Sequence, residues 1–135
     1  MNDFDNDFDE FFNHYIICAL WSSTDTNLEG ENINLDNEYS INDIDKDALK
    51  QLREEAEKFY NENKHLFKYE EHFKGDGYYS DAMLAGHDFW LSSHGHGAGF
   101  FDRNDLEHRG LLQERARACK EINLYIGENN LLYIY

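Results

Sequence analysis

Hydrophobic side chains recur every three or four residues near the start of the chain. The positions are Phe4, Phe8, Phe11, Phe12, Tyr15, Ile16, Ala19 and Leu20. This is the period of an α-helix with one buried face, so the pattern predicts a helix over about residues 5–21. Acidic residues lie between these positions near the N-terminus, where the helix dipole favours negative charge. The following segment is rich in Asn, Asp and Glu and predicts a loop over about residues 22–40.

Two further segments are predicted to be helical. The apolar stripe of the first consists of Ala48, Leu49, Leu52, Ala56, Phe59 and Tyr60. It predicts a helix over about residues 46–66, and Asp45 stands where an N-cap residue is expected. The second helix is predicted over about residues 108–121. Between them, residues 68–82 are expected to form a loop with a short helical turn at about 80–84.

Two pairs of short hydrophobic runs flank turn-forming residues, which is typical of β-hairpins. The first pair is residues 88–92 and 98–101, and the second is residues 123–126 and 131–135. Together with the helices, they predict one α+β domain over residues 1–135, with the order ααββαββ. We expect the helices to pack on one face of a small antiparallel sheet. An acidic helix and loop, residues 1–45, would form the N-terminal part.

The composition excludes some classes of partner. Twelve Lys and Arg stand against twenty-eight Asp and Glu, so the formal net charge is −16 over 135 residues. Direct binding to nucleic acid or to an anionic membrane requires cations on the protein, so we expect neither partner. No apolar run reaches the roughly 18 residues of a membrane-spanning helix. An aromatic content of 16% indicates a folded chain rather than a disordered acidic one.

The negative charge is concentrated in the first third of the chain. Residues 1–47 contain thirteen acidic side chains and one basic side chain. An acidic surface of this kind could occupy a cationic groove that normally holds nucleic acid, and long-range attraction would steer the encounter. The alternative is that the charge only keeps the chain in solution. The candidate partner-binding residues are Asp3, Asp5, Asp7, Asp9, Glu10, Asp25, Glu29, Glu31 and Asp36.

The densest group of chemically capable side chains lies in a glycine-rich segment, residues 86–103. Its members are His87, Asp88, His96, Asp102 and Arg103, with His94 two residues before His96. Imidazoles and carboxylates could bind zinc, or His96 could act as a base oriented by Asp102. Alternatively, these residues cap the turn, and an Asp–Arg pair holds it in place. Because no activated nucleophile accompanies them, we assign no catalytic residue, metal ligand or cofactor, and expect a protein that is not an enzyme.

Several stretches resemble a family of small acidic proteins encoded by bacteriophages. They read ALWSSTD at residues 19–25, LDNEYSI at 35–41, GHDFWL at 86–91, GHGAGF at 95–100 and LYIG at 124–127. The resemblance covers nearly the whole chain and implies a phage origin and a host-cytoplasmic setting, but no reaction. The family commonly has Thr-Arg-Asn where Ser92, Ser93 and His94 stand here, so of the two turn histidines it retains only His96.

These observations lead to one main hypothesis of function and two alternatives. The main hypothesis is a phage accessory protein that binds a basic host or phage protein, such as a nucleic-acid-handling or defence protein, through the acidic surface. One alternative is a small metal-binding protein or hydrolase centred on His87, His96, Asp102 and Arg103. The other is a virion or assembly component. The edge of the C-terminal hairpin, Leu131–Tyr135, could also pair across a homodimer.

Overall fold

A computed structural model describes residues 6–75, 77–95 and 99–135. The four α-helices of these residues are α1 (Asn6–Ser22), α2 (Lys46–Asn63), α3 (Asp81–Ser93) and α4 (Arg109–Arg117). The strands are β1 (Thr24–Thr26), β2 (Asn32–Asn34), β3 (Phe73–Lys74), β4 (Gly77–Tyr78), β5 (Leu124–Ile126) and β6 (Leu132–Ile134). Helices and short strands thus form an α+β structure, as predicted. No helix in the described part of the chain combines the length and the apolar character needed to cross a membrane.

Most of the amphipathic segments fold as their patterns predict. α1 and α2 lie close to the predicted bounds, and the carboxylate of Asp45 caps α2 by accepting hydrogen bonds from the backbone N–H groups of Asp47 and Ala48, both at 3.1 Å. α4 is shorter than predicted. The C-terminal hairpin also forms, because β5 and β6 pair antiparallel with Tyr125 opposite Tyr133.

The predicted hairpin over residues 88–101 is wrong. Residues 81–93 form α3, which Ser80 caps by accepting a hydrogen bond from the Met83 N–H at 3.2 Å. Most of the helix is buried on every side, so its sequence lacks the apolar and polar alternation that marks an amphipathic helix. Of the predicted second strand, Ala98 lies outside the described residues and Phe100–Asp102 form a 3₁₀ turn.

The strands do not form the single sheet that was predicted. In the described residues they pair as three separate two-stranded antiparallel sheets, β1–β2, β3–β4 and β5–β6. The predicted loop over residues 22–40 contains β1 and β2, which are only three residues long and mostly polar. The order ααββαββ is therefore not confirmed, since the elements run α1, β1, β2, α2, β3, β4, α3, α4, β5, β6.

The core is built on the packing of α1 against α3. The two helices run parallel, since Glu10 contacts Ser80 at one end and Ser22 contacts Trp90 at the other. Between these contacts the backbone of α3 at Gly86 touches that of α1, so closely that a Cβ atom at Gly86 would lie 2.0 Å from the Phe11 carbonyl oxygen. The close approach lets large side chains from α1, α2 and α3 meet in one core.

Stacked phenylalanines fill this core. The rings of Phe59 and Phe89 lie 4.0 Å apart between centroids and are nearly parallel, and Phe11 and Phe100 stack around them. A single cluster of buried hydrophobic residues extends from Phe8 to Leu132. The aromatic residues of the glycine-rich segment therefore serve mainly in the core, although Phe101 remains exposed.

The edge of β6 is partly covered. The Leu132 carbonyl accepts a hydrogen bond from the Asp45 N–H at 2.8 Å, and Ile44 forms a parallel bridge to Leu132. The segment before α2 thus occupies the edge that was expected to be open along Leu131–Tyr135. Pairing of two copies along this edge would require these bonds to break.

Candidate functional site

Three exposed carboxylates converge at the tip of the β1–β2 hairpin and the turn that follows it. Glu29, Glu31 and Glu38 each place a carboxylate oxygen within 4.8 Å of the other two, and we call this group the acidic loop cluster. Glu29 and Glu31 were among the predicted partner-binding residues. Glu38 was not, because it joins the group only through the 3₁₀ turn Leu35–Asn37, which returns the chain to the hairpin.

Asn27 holds the acidic loop cluster in place. Its side chain is 6% exposed, and its amide nitrogen donates to Glu31 Oε1 at 3.2 Å and to Glu38 Oε2 at 3.0 Å. Its amide oxygen accepts from the backbone N–H groups of Glu29 and Glu31, at 3.0 and 2.8 Å. One buried amide therefore shapes the loop and gathers two of the three carboxylates. No sequence pattern marked Asn27, which looked like an ordinary polar loop residue.

The acidic loop cluster carries charge that is not neutralised by the part of the chain that the structure describes. Within the described ranges, no Lys or Arg forms an ion pair with Glu29, Glu31 or Glu38. Neighbouring carboxylates repel one another, so a cation placed between them lowers the electrostatic energy. The oxygens could accept from a Lys ammonium or an Arg guanidinium, or ligate a hard divalent cation such as Ca²⁺.

The other predicted acidic residues do not join this cluster. Asp7, Asp9 and Glu10 lie in the first turns of α1, a helix of 17 residues, whereas the hairpin begins after its last turn. A helix of that length spans about 25 Å. Asp3 and Asp5 lie outside the described residues. The described candidate residues therefore form two regions, one in the first turns of α1 and one beyond its last turn, rather than one continuous surface.

Several of these acidic residues have partners within the chain. Asp9 forms an ion pair with Arg53 at 3.4 Å, and Glu10 accepts a hydrogen bond from the Ser80 hydroxyl at 2.7 Å. Asp25 accepts from the Ile126 N–H at 2.8 Å and so ties β1 to β5. Asp36 is exposed in the 3₁₀ turn. Asp25 therefore has a structural role, which leaves the acidic loop cluster and Asp36 as the accessible charge at this end of α1.

The second predicted group contains a buried ion pair. Asp88 is 0% exposed and accepts from Arg103 Nε at 2.9 and 3.1 Å and from Arg103 Nη2 at 2.8 Å. The Tyr69 hydroxyl also donates to Asp88 Oδ2, at 2.8 Å. Burial and the adjacent Asp88 raise the pKa of Tyr69 well above 10, so its hydroxyl keeps the proton that it donates. Both oxygens of Asp88 are thus occupied, which fits the anticipated structural Asp–Arg pair rather than a metal ligand or a base.

The remaining members of this group lie in different surroundings. His87 is half-buried on α3, with its ring centroid 6.1 Å from that of Trp21. Asp102 is exposed in the 3₁₀ turn Phe100–Asp102, and His96 lies outside the described residues. Among the described members, direct polar contacts join only Asp88 and Arg103.

His94 bridges two elements of the fold. Its Nδ1 lies 2.7 Å from the Trp90 carbonyl oxygen and its Nε2 lies 2.7 Å from the Ile122 carbonyl oxygen. The ring therefore links the C-terminal end of α3 to the residues before β5. The sequence had suggested a metal-binding pair of His94 and His96, but the contacts made by both His94 ring nitrogens are structural.

Acidification is expected to destabilise the protein partly through His87. Burial lowers the pKa of His87 below its ordinary value of 6.5, so near that pH the unfolded chain binds more protons than the folded one. The free energy of unfolding therefore falls as the pH falls through 6.5. Urea unfolding measures the free energy of unfolding at about pH 7.5 and at about pH 5.5. Between these two pH values, His87→Gln should lose less of this free energy than the wild type. His65→Gln, which removes an exposed histidine, is the control, and an equal loss in all three proteins would contradict this interpretation.

Comparisons with known proteins do not place the chain in a family. No protein-family model matches it, no curated protein matches it, and no solved structure matches its fold. The resemblance to phage proteins therefore rests on the stretches quoted for it and stays a prediction.

Proposed function

We propose that this protein is a phage-encoded accessory protein that acts in the host cytoplasm by binding a basic protein, of the kind that handles nucleic acid. It binds through its acidic surface and is not an enzyme. The observation that carries the proposal is the acidic loop cluster, in which three exposed carboxylates lie within 4.8 Å of one another. The charge density of this group is similar to that of nucleic-acid phosphates, so the group could bind in a cationic groove that normally holds nucleic acid.

The gathering of the three carboxylates supports this proposal. Repulsion among the carboxylates raises the electrostatic energy of the acidic loop cluster in the free protein. A Lys or Arg of the partner therefore gains more binding free energy there than at an isolated glutamate. The net charge of −16 adds a long-range field that attracts a basic partner and repels nucleic acid. Attraction of this kind weakens as salt screens it.

The two alternative functions find less support in the contacts. A metal-binding protein or hydrolase centred on His87, His96, Asp102 and Arg103 would need these groups to converge on one ligand. Instead, Arg103 is bound to Asp88, and His87 packs beside Trp21. No contact among the described residues favours a virion or assembly component.

Removing the charge of the acidic loop cluster is expected to reduce partner capture strongly. The variant carries Glu29→Gln, Glu31→Gln and Glu38→Gln, which remove the charge and keep a side-chain oxygen to accept the Asn27 hydrogen bonds. We expect it to capture the basic partner from host lysate at least about tenfold less than the wild type at low salt. The measurement is quantitative mass spectrometry of the captured proteins at low and high salt.

A matched variant separates local charge from total charge. Glu54→Gln, Glu57→Gln and Glu114→Gln remove the same charge from exposed positions on α2 and α4. This control should capture nearly as much partner as the wild type. Equal capture by both variants, or capture that ignores salt, would contradict the proposed function.

A further inference from the structure

An exposed apolar stripe runs along the outer face of α1, between the two acidic regions. Glu10, Ile17 and Trp21 lie on one side of the helix, because steps of seven and eleven residues return to nearly the same angle. Ile17 and Trp21 are each 53% exposed, while most of the other large apolar side chains of α1 are buried. The core therefore does not explain why these two positions are hydrophobic.

Two histidines beside the stripe are uncharged at neutral pH. The His14 ring lies beside Tyr79, with centroids 5.9 Å apart, and the His87 ring lies beside Trp21. Burial lowers the pKa of both His14 and His87 below 6.5, and for His14 it outweighs the opposing effect of Glu10. Both rings are thus neutral at pH 7, and the middle of this face is apolar.

The ends of the same helix are acidic. Asp7 and Glu10 lie in the first two turns of α1. The hairpin that carries the acidic loop cluster starts at Thr24, two residues after the last residue of α1. The amide of Asn34 in that hairpin donates to the Trp21 carbonyl at 3.0 Å, which anchors β2 next to the end of the stripe. An apolar face with carboxylates in its first two turns, followed after its last residue by a negatively charged hairpin, is complementary to a ligand with an apolar face and cations at both ends.

We propose that this face of α1 is the docking site for an amphipathic basic helix of the partner protein, an inference that rests on the proposed function. The partner helix would lay its apolar side on Ile17 and Trp21 and direct Lys or Arg to the carboxylates at the two ends. A helix of about 17 residues has the length of α1. Charge argues against two other occupants, because a second copy with a net charge of −16 or an anionic bilayer would be repelled by the same carboxylates.

A synthetic peptide tests this inference directly. The probe is a helical peptide of leucine and lysine with its leucines on one face, and a scrambled peptide of the same composition is the reference. Trp21 is exposed while Trp90 is buried, so docking should shift the tryptophan emission to shorter wavelength through Trp21. We expect the amphipathic peptide to bind about tenfold more tightly than the scrambled one.

Substitutions then identify the face that binds. Ile17→Ser is expected to lower the affinity for the amphipathic peptide about tenfold. Leu111→Ser, which removes an exposed leucine from α4, should leave this affinity unchanged. Equal binding of both peptides, or no effect of Ile17→Ser, would overturn the docking site. A tryptophan emission that depends on protein concentration without peptide would also overturn it, because a second copy would then cover the face.

The same titration keeps the two proposals distinguishable. Binding that ignores Ile17 but is lost at high salt and in the Glu29→Gln, Glu31→Gln and Glu38→Gln variant refutes the docking face and supports the acidic surface. Binding that requires Ile17 but ignores salt and the three glutamines supports the docking face and contradicts the proposed function.

Discussion

Replacing Gly86 with alanine is expected to lower the free energy of unfolding by about 3 kcal/mol, the upper end of what overpacking costs. In an ordinary helix the same change stabilises, by up to about 1 kcal/mol. Here the added Cβ would lie 2.0 Å from the Phe11 carbonyl oxygen and 2.9 Å from the carbonyl carbon. Both are backbone atoms that no rotamer change can move aside, so α1 and α3 have to separate.

Separation of these helices would loosen the core around them, because Phe11 and Phe89 stack across the contact. Urea unfolding followed by circular dichroism measures the loss. Gly110→Ala is the matched control, since Gly110 also lies in a helix but a Cβ atom added there would have nothing within 4 Å. We expect Gly110→Ala to leave stability unchanged or slightly raised. A loss of equal size in both variants would show that the close approach at Gly86 is not the cause.

Replacing Arg103 with methionine is expected to cost about 3 kcal/mol at pH 7, because it leaves the Asp88 carboxylate buried without its cation. We place the effect at the lower end of the range for buried pairs, since 23% of the Arg103 side chain is exposed and water can reach part of the site. The Tyr69 hydroxyl still donates to Asp88, but one neutral hydrogen bond does not replace three from a guanidinium.

A double variant separates the ion pair from simple loss of packing. Adding Asp88→Asn to Arg103→Met removes the stranded charge, so the double variant should be more stable than the sum of the two single losses predicts. Arg109→Met is the control, because Arg109 packs over the exposed Phe101 ring and its loss should cost about 0.5–1 kcal/mol. Additive losses at Asp88 and Arg103, or a loss at Arg103 no larger than at Arg109, would contradict the role assigned to the pair.

Local patterns were sufficient for the amphipathic helices but not for α3. α1 and α2 each have one buried face, so their apolar residues repeat with the helical period. α3 is buried nearly all round and contains Gly86 and aromatic residues that are also typical of strands, so a hairpin was predicted in its place. Gly86, the first residue of the glycine-rich segment, is the point at which α3 contacts α1.

The candidate site was predictable in composition but not in shape. The sequence showed that acidic residues are concentrated in the first third of the chain, and Glu29 and Glu31 were among the predicted partner-binding residues. It could not show that Asn27 gathers Glu31 and Glu38, since that depends on the path of the loop. Nor could it show that Asp25 is bonded to Ile126, which lies 101 residues further along the chain.

The packing of α1 against α3 also sets the order in which this chain can fold during synthesis. The buried face of α1 is complete at residue 22, but the helix that covers it ends at residue 93. At about 5–20 residues per second, the ribosome needs several seconds to make the segment between them. During that interval Tyr15 of α1 lacks its two ring partners on α3, Phe89 and Trp90, and the strand that Asp25 binds is made later still. α1 can therefore pack on α2 early but reaches its final packing only after α3 has been made.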